Sequence, residues 1–159
     1  MSTITLPRCK HFGQCGGCAF QDREYPQEQL ELKKKSLEDL FGRPVEVTPS
    51  RKTYEYRNRM DFVCAFGKIG LRKKGRFNQV VEIDQCHLLP DRAADLFRLL
   101  KEKIRGNGIP DFNYLNHQGY LRYITLRVPA NTPDIMVNFV TATEEEKLLP
   151  LLETGDSAR

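Results

Sequence analysis

The sequence predicts an α+β domain, with a mainly antiparallel sheet, about three helices and a cysteine-rich loop at its start. Two patterns carry that expectation. Met60, Phe62, Cys64 and Phe66 alternate with Asp61, Val63 and Ala65, the two-residue period of a strand with one buried face. Ala93, Leu96, Phe97, Leu100 and Ile104 recur instead at helical spacing. Both periods occur within 159 residues, one domain's length with room for its own core.

Residues 8–24 hold Gly13, Gly16 and Gly17 among Cys9, Cys15 and Cys18, with no periodicity, so 1–24 reads as a loop. Pro26 suits a first helical position, and a helix is expected over 26–41 with Gly42 as its stop. Leu30, Leu37, Leu40 and Phe41 would share its buried face, with Lys33, Lys34 and Lys35 as a solvated flank. Val45 and Val47 suggest a short strand. Gly67-Lys68 offers a tight turn from the 60–66 strand into 69–72, and a strand over 79–83 leads directly into Cys86. Pro90 opens the clearest helix and Gly106 ends it. Strands over 120–128 and 135–141 flank a turn-rich 129–134. Thr143 and Glu146 have capping-box spacing for a last short helix interrupted by Pro150. The body thus spans 25–153, and 154–159 reads as a frayed tail.

The longest apolar runs are a few residues, too short to span a bilayer. Residues 1–7 lack the basic and apolar regions of a secretory signal, so a cytoplasmic address is expected. Five cysteines, an odd number, in a reducing compartment point to metal rather than to disulfides. Cys9, Cys15 and Cys18 fall within ten residues, and Cys86 stands far downstream after a strand. Three clustered thiols plus one remote thiol suit a 4Fe-4S cluster, whose irons each take one cysteine. Gly16-Gly17 between two of them lets backbone approach the sulfurs closely. Zinc stays open. Four-cysteine zinc sites usually pair two short knuckles and this chain has one, but His11 or His87 can replace a thiol. Cys64 alternates with core residues and reads as a small buried hydrophobe.

Charge is unevenly distributed. Residues 50–76 carry nine basic side chains against Glu55 and Asp61, a net of +7 on a chain whose total is +4. A basic segment on a slightly acidic remainder suggests a face for a polyanion.

Cys9, Cys15-Gly16-Gly17-Cys18, Tyr25, Gln29-Leu30 and Lys33 resemble the cluster region of iron–sulfur RNA uracil-5-methyltransferases. The likeness continues through Tyr56-Arg57-Asn58-Arg59, Gly70-Leu71, Val81-Glu82-Ile83-Asp84-Gln85-Cys86, Leu121-Arg122-Tyr123 and Met136-Val137-Asn138-Phe139-Val140-Thr141. The resemblance implies a 4Fe-4S cluster on Cys9, Cys15, Cys18 and Cys86 and a structured rRNA or tRNA as partner; a monomer is expected. It also implies that S-adenosylmethionine (SAM) and the catalytic residues belong to a C-terminal domain absent from this sequence. No Gly-rich strand-to-helix turn for SAM is found here, so no catalytic residue is assigned and the chain alone is expected to be inactive.

For RNA, Arg57, Asn58 and Arg59 are the leading contacts, since guanidinium binds phosphate and stacks on unpaired bases. Lys73, Lys74 and Arg76 are expected to meet phosphate, Tyr54 and Tyr56 to offer stacking surfaces, and Arg122 and Arg127 to be weaker candidates. An electron-transfer protein and a zinc-stapled RNA-binding protein are the alternatives. The first leaves the basic segment without a use, and the second differs only in its metal.

Overall fold

The computed structural model describes residues 7–152. Its elements run α1 (Gln27–Phe41), β1 (Arg59–Ala65), β2 (Lys68–Lys73), β3 (Arg76–Glu82), α2 (Asp91–Gly106), β4 (Phe112–Asn113), β5 (Gln118–Gly119), β6 (Leu121–Arg127), β7 (Met136–Thr141) and α3 (Leu149–Leu152). Five strands form one antiparallel sheet in the order β3-β2-β1-β6-β7, and β4-β5 make a separate small hairpin. The expected α+β class is the one observed.

The core lies between one sheet face and α2. Met60, Phe62 and Cys64 of β1 face Ala93, Phe97, Leu100 and Ile104 of α2, and the Phe62 and Phe97 rings stack with centroids 3.6 Å apart. On the opposite face Val63, Ala65 and Val80 form a smaller cluster under Phe66, Tyr114 and Tyr123. Alternation along β1 therefore separates two apolar faces, the one toward α2 much the larger.

Several local expectations shift. The β1–β2 turn uses Phe66-Gly67, not Gly67-Lys68: Ala65 pairs with Lys68, and both loop residues have positive φ, 58° and 72°. That is the backbone twist a two-residue hairpin requires, and glycine at its second position makes it accessible. Helix α1 ends as expected, with Gly42 left-handed at φ 64° and its N–H donating to Glu38. Its apolar face, however, is not in the core. No residue of α1 is buried, and Leu40 and Phe41 are exposed. The helix lies instead along the cysteine loop, where Gln29 Nε2 donates to the carbonyls of Phe20 (2.9 Å) and Arg23 (3.1 Å).

No strand forms at Val45 and Val47; the Val45 N–H donates to the Glu38 carboxylate and the chain returns along α1. The capping box at Thr143 and Glu146 is not made either. Thr143 Oγ1 bonds Glu145, and α3 starts only at Leu149, which puts Pro150 in its first turn, where no N–H is needed. The 154–159 tail lies outside the described residues. Among the described residues no helix is long and apolar enough to cross a membrane.

Candidate metal centre and nucleic-acid face

The cysteine loop is fastened to the tip of the β2–β3 hairpin. Gly16 N–H donates to Arg72 O (2.9 Å), Lys74 N–H donates to Gln14 O (2.7 Å), and Cys15 faces Lys73 as an antiparallel bridge. Gly16 permits this approach, since a Cβ there would stand 3.3 Å from Arg72 O. Cys15 is thereby carried into the core beside Leu71. Charge and cluster motif, separate in sequence, are joined here: the basic hairpin is the floor of the cysteine loop.

Cys86 arrives from the other side. The strand before it is held by Lys101 of α2, which is 4% exposed. Its ammonium donates to Ile83 O (2.6 Å) and contacts Glu82 (2.5 Å) and Asp84 (3.0 Å). Lys10 reaches Asp84 from the cysteine loop at 3.3 Å. After Cys86, the N–H groups of Glu55 and Arg57 donate to His87 O and Leu88 O, each at 2.9 Å. Arg57 then extends its guanidinium to Gly17 O at 2.7 Å, closing the ring of segments around the thiols.

The sulfurs are met by N–H donors. Gly17 N–H points at Cys15 Sγ (3.2 Å). Gln21 Nε2 donates to Cys18 Sγ (3.2 Å), while its Oε1 accepts the Cys9 N–H (3.3 Å). The backbone N–H groups of Leu88 and Leu89 favour the Cys86 thiolate. Burial first, then the neighbouring thiols of Cys15, Cys9 and Cys86, push the Cys18 thiol up to about 11 against the pull of Arg57. Burial likewise raises Cys15 and Cys86, against the N–H donors and Arg57. The four thiols thus sense one another. Cys15, Cys18 and Cys86, buried side by side, resist ionising, a conflict that a positively charged core would relieve. Among the described residues no three His, Cys, Asp or Glu side chains stand close enough to hold a metal ion as placed. Nearby, His11 Nε2 and His87 Nδ1 are buried without hydrogen-bond partners.

Cys64 stands apart. It is fully buried, and its thiol is pushed up to about 12 by burial first and then by Asp111 and Glu82, with no other cysteine involved.

The RNA candidates divide. Lys73, Lys74 and Arg76 are exposed at the hairpin tip, and Asn58 and Arg59 are exposed at the start of β1, Arg59 pairing with Asp61 at 3.1 Å. Arg57 is half-buried, its guanidinium donating to Gly17 O at 2.7 Å and lying near the cysteines. Arg122 also turns inward, its guanidinium stacked on Phe112 at 4.6 Å and Tyr114 at 5.6 Å. Lys101 went unremarked in the sequence because a lone lysine at helical spacing looks like a solvated flank. Only its position opposite Glu82-x-Asp84 reveals the clamp.

Fold and site together define a small α+β domain that brings remote cysteines toward one another against a basic hairpin. Its known relatives are enzymes acting on RNA. The chain is 42% identical over 135 residues to the tRNA (uracil(54)-C(5))-methyltransferase of Pyrococcus abyssi, covering 85% of this chain and 33% of that protein. It is 32% identical over 152 residues to the 23S rRNA (uracil(747)-C(5))-methyltransferase of Pyrococcus furiosus, covering 95% and 36%. The crystal structure of the Pyrococcus abyssi tRNA (uracil-54, C5)-methyltransferase with S-adenosyl-L-homocysteine superposes with a TM-score of 0.71 at 37% identity, over 81% of this chain and 32% of that one. No family model matches. The chain is therefore homologous to one part of RNA uracil-C5-methyltransferases and spans about a third of the length of the curated relatives it matches.

Proposed function

We propose that this chain is the iron–sulfur- and RNA-binding portion of an RNA uridine C5-methyltransferase, with Cys9, Cys15, Cys18 and Cys86 holding one 4Fe-4S cluster. The observation that supports it best is the meeting of Cys86 with three cysteines some seventy positions earlier, with N–H donors aimed at the sulfurs. When bound, such a cluster supplies a covalent staple between loop and sheet. Methyl transfer from SAM to uracil needs no net electron change, so a structural role is sufficient. Gly17, Gln21, Leu88 and Leu89 would bond to the sulfurs, and Arg57 would offset negative charge.

SAM binding and the catalytic residues are assigned outside these 159 residues. Among the described residues every pairing between named strands is antiparallel, whereas a Rossmann-like cofactor site needs parallel strands and a Gly-rich turn. The partner is structured RNA, approached by a monomer through Lys73, Lys74, Arg76 and Arg59. Filter binding of a tRNA transcript across a salt series tests this. Log affinity should fall linearly with log salt, by about 0.7–0.9 per phosphate contact, and Lys73→Ala with Lys74→Ala should flatten the slope. A parent chain that binds no tRNA at low salt would remove the RNA half of the proposal.

A further inference from the structure

Between α1, the cysteine loop and residues 45–57 runs a groove of about 1240 Å³. It exceeds the roughly 300–1,000 Å³ that encloses a single small ligand. Five cations line it, Arg23, Lys33, Lys52, Arg57 and Lys74, against one carboxylate, Glu24. Aromatic rings face the same space. Tyr56 is 53% exposed, and Phe20 is 38% exposed with the Lys33 ammonium 5.3 Å from its ring centroid. The groove's outer wall is tied on by Tyr25, whose hydroxyl donates to Ser50 O at 3.1 Å, so the two walls are held relative to each other.

Exposed rings set among cations suit a polyanion that also presents flat faces. A duplex hides its base faces by stacking, and an acidic peptide has none. We propose that this groove holds a short run of unpaired nucleotides, with bases on Phe20 and Tyr56 and phosphates on Lys33, Lys52 and Lys74. The proposal rests on the RNA-binding reading above and adds to it the site and the single-stranded character of the ligand. Lys74 both lines the groove and belongs to the hairpin tip, so phosphates leaving the groove pass directly onto Lys73 and Arg76.

Fluorescence anisotropy with a labelled oligouridylate of about ten nucleotides tests it, alongside a blunt RNA duplex of equal length and a polyglutamate. The parent should prefer the oligouridylate. Phe20→Ala with Tyr56→Ala should weaken that binding roughly tenfold or more, as loss of two stacking platforms implies, and leave duplex binding unchanged. Should the double variant fail to fold, Tyr56→Leu at the half-exposed ring should still weaken oligouridylate binding severalfold. Unchanged oligouridylate affinity in a folded ring variant, with affinity lost in Lys73→Ala/Arg76→Ala, would overturn the groove and leave RNA binding standing. Preference for the duplex, or equal binding of polyglutamate, would also overturn it. Failure of the parent to bind any RNA would sink both readings.

Discussion

Arg57 donates from Nη2 to the carbonyl oxygen of Gly17, 40 positions away, at 2.7 Å, while its own N–H donates to Leu88 O. One residue therefore clasps the two segments that carry the cysteines. Hydrogen bonds from charged groups contribute about 1.5–3 kcal/mol each, so Arg57→Ala should lower stability in urea melts by about 1–2 kcal/mol. In the cluster-loaded chain it should also shift the midpoint potential to more negative values, because a nearby cation favours the reduced form. Arg57→Lys should restore the potential more fully than the stability, since it keeps the charge and loses the fork. Matching melts for parent and alanine variant would show that the clasp carries no weight.

Lys101 makes the second clamp. Breaking a buried ion pair costs about 3–5 kcal/mol when the abandoned charge stays buried. Here Glu82 and Asp84 are 32% and 58% exposed and can rehydrate, so Lys101→Met should cost less, about 1–3 kcal/mol. Hydrogen bonds from Lys101 and then Lys10 hold the Asp84 carboxyl below its ordinary 3.8. A carboxyl depressed on folding contributes stability that is fully present above its ordinary value and is lost as pH falls through the folded value. The parent's advantage over Lys101→Met should therefore be complete at neutral pH and shrink only below 3.8. Urea melts at stepped pH check this. An advantage already fading near neutrality would assign it to another group.

Gly70 faces the β3 backbone so closely that an added Cβ would lie 1.9 Å from Val81 O. No side chain can move aside to relieve that contact. Gly70→Ala should cost roughly 3 kcal/mol or more, or abolish folding, whereas Gly106→Ala, with open space around it, should be nearly neutral. Thermal melts of the two variants make the comparison, and similar melts would contradict the β2–β3 register.

The strands, both long helices and the outlying cysteine were legible because each depends on local period or on residue type. The elements misread in sequence fail for a tertiary reason. Val45 and Val47 alternate like a strand but reach no sheet edge. Leu40 and Phe41 lie on an apolar helical face that the core does not meet. The small β4–β5 hairpin is only two residues deep on each side and gives no periodic signal. At the site, the grouping of Cys9, Cys15 and Cys18 and the outlying Cys86 were visible as a spacing. Which arginine turns inward was not, because Arg57 and Arg59 differ only in where Gly17 and Asp61 happen to lie.

Cys64 gives the cysteine assignment its internal control. Cys64→Ser places a hydroxyl at a fully buried site, at a cost of about 1–3 kcal/mol, and should leave metal content unchanged. Loss of metal in that variant, with its fold retained by circular dichroism, would mean that the ligand set is wrong.

The central claim is tested most directly by iron, sulfide and zinc analysis of the chain reconstituted anaerobically, set beside Cys86→Ser. The account predicts about four irons and four sulfides per parent chain, with both lost in Cys86→Ser. One tightly bound zinc with no sulfide, or a full complement of iron retained without Cys86, would contradict it.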